Sequence, residues 1–224
     1  MRRICVLFLL TILSISCSSA QRISPVGKPL KLAEIQEECN RVFPTEKWVF
    51  IHSIEANFPG EKKTFMLGVS QIFPEKKKIH CIMMTIEGLV VFDALYDGKI
   101  VINRGIPPFA SENFAKGMIS DLQLIFFQPK GQLIETGVSD AGEWICRYQD
   151  KKWATVDVLI HLDNRWTIRQ YHRHQLRRTI KAYLKQDSVL LFKNRIPERL
   201  ELIAHGVSGY SLKLKLVEAE PLSE

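Results

Sequence analysis

A chain of 224 residues with 46% hydrophobic content is long enough to bury one good core and most naturally forms one domain. Its formal charge of +7 comes from dispersed positive residues: Lys62 and Lys63, Lys76 to Lys78, Lys151 and Lys152, and the stretch from Arg165 to Lys181. No nucleic-acid motif accompanies them, and nucleic acid is not expected as a partner. Solvated loops and strand edges account for these residues, with attraction to anionic lipid headgroups as the alternative.

Arg2 and Arg3 precede an apolar run from Ile4 to Leu13 and then small residues, the pattern of an export signal. The run is too short for a membrane-spanning helix, which needs ~20 residues. Two cleavage readings compete. Ser14-Ile15-Ser16-Cys17 has the form of a bacterial lipobox, although Leu13 sits one position too early, whereas Ser18-Ser19-Ala20 suits an ordinary signal peptidase. A cysteine just after the apolar run favours the first reading. The expected division is a signal peptide over residues 1–16, a tether over 17–31 lipidated at Cys17, and a single domain over 32–224. Ser18 stands where an inner-membrane retention signal would have Asp, which points to the outer membrane, facing the periplasm. Cleavage after Ala20 would instead give a soluble periplasmic protein.

Within the domain, Leu32, Ile35, Cys39 and Val42 have helical spacing up to Pro44, which predicts a short amphipathic helix. Strands are predicted over Trp48–Glu55 and Thr64–Phe73, joined at Phe58-Pro59-Gly60. The stretch Ile79–Ile106 follows, with Glu87-Gly88 and Asp97-Gly98 between runs of β-branched and aromatic residues. Such dipeptides mark two-residue hairpin turns. That register sets Ile86 opposite Leu89 and Tyr96 opposite Lys99. One face then carries Ile82, Met84, Val91, Asp93, Leu95, Ile100 and Ile102, and the other Ile79, Cys81, Met83, Phe92, Ala94 and Tyr96. Both faces are apolar, so each needs a cover of packed protein or ligand.

Pro107-Pro108 stops the sheet and Ser111 is a helix N-cap. Phe114, Met118, Leu122, Ile125 and Phe126 recur at three- and four-residue steps, predicting an amphipathic helix up to Phe127, weakened by Gly117. Further strands are expected at Trp144–Tyr148, Trp153–Leu162, Arg165–Tyr171, Thr179–Leu184, Ser188–Lys193, Leu200–His205 and Tyr210–Val217. Asp163-Asn164 reads as a turn, and Gln170–Arg178 as ambiguous, taken as strand. The fold class is mostly β: a single curved antiparallel sheet of about ten strands, too many to stay flat. It forms a half-open barrel, with the one inserted helix as a lid and the short N-terminal helix beside it.

If Cys17 is lipidated, Cys39, Cys81 and Cys146 remain, an odd number with no C-x-x-C pair. This argues against a disulfide framework and leaves room for one bridge in an oxidising compartment. Cys81 and Cys146 read as buried small hydrophobes. His172 and His174 would share a strand face among arginines, a poor setting for a metal ion, and no metal or other cofactor is expected. Asp93 has His80 and Arg104 as diagonal neighbours. It is read as paired with Arg104, the alternative being a headgroup-binding or acid-base role with His80.

TFMLGVSQI from Thr64, GLVVFDALYDG from Gly88, MISDLQLIFFQP from Met118 and LELIAHGVSGYSLKL from Leu200 resemble a family of bacterial outer-membrane lipoproteins. That family is found with aryl-polyene biosynthesis clusters and is similar in fold to LolB, the outer-membrane acceptor of lipoproteins. The resemblance spans about Trp48 to Val217, and Arg165–Arg178 stands outside it as an addition. It implies a half-open barrel with an apolar interior, anchored through Cys17 and holding an acyl chain or polyene lipid. It brings no catalytic residues.

The expected function is therefore a non-enzymatic carrier or acceptor of a hydrophobic ligand: an acyl chain, a lipoprotein or an aryl-polyene lipid. Met84, Val91, Asp93, Leu95, Phe114, Met118, Leu122 and Phe126 are the expected cavity residues. The alternatives are a hydrolase or thioesterase acting on lipid-linked intermediates and a structural lipoprotein filled by its own side chains.

Overall fold

A computed structural model of the chain describes residues 20, 22–25, 29–60, 63–152, 154–185, 196–207 and 209–222. The expected signal peptide, Cys17 and the strand expected at Ser188–Lys193 lie outside the described residues. The elements follow in the order β1 (Ile23–Pro25), α1 (Pro29–Asn40), β2 (Trp48–Asn57), β3 (Thr64–Phe73), β4 (Lys78–Met84), β5 (Val90–Asp97) and β6 (Lys99–Gly105). Then come α2 (Glu112–Phe126), β7 (Gln132–Ser139), β8 (Trp144–Gln149), β9 (Ala154–Ile160) and β10 (Arg165–His172). β11 (Gln175–Tyr183), β12 (Arg199–Ala204) and β13 (Tyr210–Pro221) complete the chain.

The thirteen strands among the described residues form one sheet in the order β1-β7-β8-β9-β10-β11-β12-β13-β2-β3-β4-β5-β6. Two meanders, β2 to β6 and β7 to β13, are joined where β13 pairs with β2. β1 and β6 are edges, so the sheet does not close into a barrel. Because β6 is one edge and β7 lies beside the other, the connection through α2 has to traverse the sheet. On a flat sheet those strands would lie about 50 Å apart, against about 22 Å for a helix of this length. The sheet curls around α2, which meets both meanders: Phe126 stacks on Phe50 of β2 at 4.7 Å between centroids and Phe114 lies edge-on to Phe92 of β5 at 5.1 Å, while Asp121 pairs with Arg178 of β11 at 2.6 Å.

Strict alternation builds the inner face. β2 buries Phe50, His52, Ile54 and Ala56, β3 buries Met66, Gly68, Ser70 and Ile72, and β4 buries Ile79, Cys81 and Met83. Ser111 caps α2 as expected, its side chain accepting from the Phe114 N–H at 3.2 Å. α1 packs on β7, β8 and β9 and is tied to β8 by a disulfide between Cys39 and Cys146. Cys146 is therefore a bridge partner, and only the Cys81 reading as a buried free thiol survives.

Three turns differ from expectation. The β4–β5 loop closes by a bond from the Thr85 N–H to the Leu89 carbonyl, leaving three residues in the loop, and a bulge restores the pairing of Met83 with Phe92. The β5–β6 connection turns about Gly98 (φ 75°) with Asp97 opposite Lys99, one residue short of the expected register. A one-residue slip reverses every side chain, so Ile100 and Ile102 join the buried face while Val101 faces solvent. Finally, Arg173 and His174 both have positive φ and form the tight turn of the β10–β11 hairpin, so His172 and His174 do not share a strand face.

Candidate ligand cavity

A cavity of about 160 Å³ lies between α2 and the inner faces of β2, β3, β4, β12 and β13. An apolar cavity of about 150 Å³ stays dry and accepts benzene-sized molecules, so this one has room for a segment of a larger apolar ligand. The space exists because the strands opposite α2 carry small side chains: Ala56, Gly68 and Ser70 lie among Ile54, Met66 and Met83. A Cβ at Gly68 would sit 2.7 Å from Ile54 Cδ1, so this position tolerates no side chain without moving that isoleucine.

α2 contributes two columns. Phe114, Met118, Leu122, Ile125 and Phe126 form the apolar one, and Asn113, Gly117 and Asp121, spaced four residues apart, form the other. Asp121 is buried and held by two strands at once. Arg178 Nε of β11 donates to its Oδ1 at 2.6 Å, and the Tyr210 hydroxyl of β13 donates to its Oδ2. Burial raises the Asp121 pKa from the ordinary carboxylate range, opposed by the Arg178 charge and both hydrogen bonds. Burial likewise raises that of Tyr210, as does the neighbouring carboxylate. The Arg178 guanidinium lies 5.8 Å from the Tyr210 ring centroid. This cluster pins the middle of α2 to the sheet.

His52 is the second buried polar group on the lining. Burial pushes its pKa from 6.5 down to about 4, which keeps the imidazole neutral. The unfolded chain takes up the proton as pH falls below about 6.5, whereas the native state does so only near 4. Stability is therefore complete above the first value and is lost as pH falls toward the second, by about 3 kcal/mol in all. His52→Phe should flatten the urea midpoint between those pH values, and an unchanged slope would place the acid sensitivity elsewhere.

Phe114, Met118, Leu122 and Phe126 all line the cavity, whereas Met84, Val91, Asp93 and Leu95 do not. α2 covers the Cys81, Met83 and Phe92 face of the meander, and Asp93 and Leu95 belong to the opposite face. Val91 falls at the bulge, and Met84 lies opposite Val90. Asp93 Oδ1 bonds His80 Nε2 at 2.9 Å and accepts from Asn103 Nδ2 at 3.0 Å. Its partners are thus His80 and Asn103, with Arg104 opposite in the register. The His80–Asp93 pair faces away from the cavity, which separates it from any chain bound there. Sequence reasoning missed His52, Ser70, Asp121 and Tyr210. The alternation of β2 and β3, with small residues on one parity, was the available signal.

No family model matches the chain, and no curated protein matches it. Among solved structures it is similar to a LolA superfamily protein from Nitrosomonas europaea, at 11% identity and a TM-score of 0.54 over 86% of this chain and 94% of that one. It is also similar to a protein domain described as outer-membrane lipoprotein-sorting from Vibrio parahaemolyticus, at 13% identity and 0.46 over 87% and 93%. A DUF1329 family protein from Desulfovibrio piger matches at 10% identity and 0.47 over 87% and 94%. The first of these shows that the chain has the LolA-like fold.

Proposed function

We propose that this chain is a non-catalytic carrier that holds the apolar part of an amphiphile between α2 and the curled sheet. The observation that supports this reading is the cavity itself: an apolar lining, five apolar side chains of one helix, and few polar groups. Hydrophobic transfer suffices for such binding, since each buried methylene contributes ~0.8 kcal/mol without any directed contact. The LolA-like fold supports it by analogy, fold alone being a weak guide to function.

The occupant is an acyl chain of a lipid or lipoprotein, or the chain of an aryl-polyene lipid, as the family resemblance implies. The chain acts at the outer membrane facing the periplasm, anchored through Cys17 after removal of residues 1–16. The Cys39–Cys146 bridge is consistent with such an oxidising compartment.

Fatty-acyl probes lengthened stepwise test the reading by titration against intrinsic fluorescence. Affinity should rise about fourfold per methylene until the cavity is full, and then level off. Absence of saturable uptake, or an affinity independent of chain length, would count against a carrier.

A further inference from the structure

Gly117 sits in the interior of α2, where glycine weakens a helix relative to alanine. Close packing is the usual reason for such a residue, and it does not apply here: a Cβ at Gly117 would meet nothing within 4 Å. Its backbone is helical and places no demand on glycine. What distinguishes the position is that it lines the cavity, is only half-buried and carries no side chain, so solvent and cavity meet there.

The neighbours define the gap. Asn113, exposed, and Asp121, buried, stand one helical turn to either side, about 12 Å apart along the axis. Across from them are Phe58 at the end of β2 and Tyr210 at the start of β13, whose rings lie 6.0 Å apart. At the Asp121 end the helix is closed onto this wall by the Tyr210 hydroxyl and the Arg178 ion pair. Among the described residues, no atom beyond the helix's own backbone and the two adjacent residues comes within 4 Å of where a Cβ on Gly117 would stand. Packed carbon atoms sit ~4 Å apart, so a methylene chain between two flanking groups needs about 8 Å, which the interval of about 12 Å between the levels of Asn113 and Asp121 supplies.

Resting on the carrier reading, we propose that the gap at Gly117 is the entrance through which the apolar chain passes, bordered by Asn113, Phe58, Tyr210 and Asp121. The residue is kept small to leave the passage open, at the expense of helix propensity.

Stopped-flow binding of a fluorescent long-chain fatty acid to the full chain tests this with Gly117→Ala, Gly117→Trp, Asn113→Trp and Lys116→Trp. Gly117→Ala should raise the melting temperature and slow association by about twofold or more, in the same sense as the tryptophan variant and less strongly. Gly117→Trp should keep the wild-type circular dichroism and melting temperature, yet slow both association and dissociation by at least tenfold. Asn113→Trp, one turn away in the same column, should slow them in the same sense and serves if the first tryptophan variant is poorly folded. Lys116, exposed and paired with Glu112 at 3.0 Å, points away from the cavity, and its tryptophan variant should bind as the wild type does. Wild-type rates in folded Gly117→Trp and Asn113→Trp would overturn the entrance while leaving the carrier intact. A wild-type protein that binds no fatty acid would overturn the carrier itself.

Discussion

Replacing both Cys39 and Cys146 by alanine is expected to lower the stability of the domain by about 4–5 kcal/mol. The cysteines are 107 residues apart in sequence, so the bridge closes a long loop in the unfolded chain. A loop of that length loses roughly 4.7 kcal/mol of conformational freedom in the chain-entropy model. In the folded state the bridge holds α1, whose Ile35 and Cys39 are fully buried, over β7 to β9. For a domain of this size the loss corresponds to about 10–15 °C in melting temperature. Differential scanning calorimetry of the oxidised protein, the reduced protein and the double variant checks it. Reduced and doubly substituted proteins should melt together, well below the oxidised one. Equal melting temperatures for all three would show that the two cysteines are not bridged.

The second large effect lies on the opposite face of the sheet. Arg147 of β8 reaches Asp157 of β9 in a two-point clasp, Nε to Oδ1 at 2.7 Å and Nη2 to Oδ2 at 2.9 Å, and its Nη1 donates to Glu135 at 2.9 Å. Asp157 is 0% exposed, so its charge depends on protein partners and is poorly screened by salt. Arg147→Met strands that carboxylate and should cost about 3–5 kcal/mol, read as a lower urea midpoint. The double variant Arg147→Met, Asp157→Leu should recover much of the loss, because an apolar pair of similar volume needs no compensation. If the double variant were as unstable as the single one, the cost would come from lost packing of the arginine stem and not from the stranded charge.

The sequence was most informative where periodicity was clean. β2, β3 and the β4–β5 pairing below Met83 follow from alternation, and α2 from its apolar steps, its serine cap and the prolines at both ends. β7 was not anticipated: Gly131 precedes Gln132–Ser139, Gly137 interrupts it, and a bulge between Leu133 and Glu135 breaks its alternation. β1 pairs three residues with β7 and leaves almost no local signal. The β10–β11 turn uses Arg173 and His174 at positive φ, where glycine or asparagine is usual, so no turn chemistry marked it.

The candidate site was half legible for a related reason. The helical residues were identified because period and amphipathicity select one face of α2. The meander has two apolar faces, and choosing between them required knowing where α2 lies, a matter of long-range topology. Register errors compounded this, since the turn at Gly98 reversed β6. Asp121 and Tyr210, 89 residues apart, meet only through the fold, and nothing local pairs them.

Photo-crosslinking with a fatty acid carrying a diazirine near its methyl end tests the central claim most directly. Irradiation of the loaded protein followed by peptide mass spectrometry should place the label on the cavity lining, on Met118 or Leu122 of α2 and Met83 of β4. Labelling confined to Phe65, Ile86 and Leu89, the exposed apolar residues of the opposite face and its turn, would contradict a ligand held between the helix and the sheet.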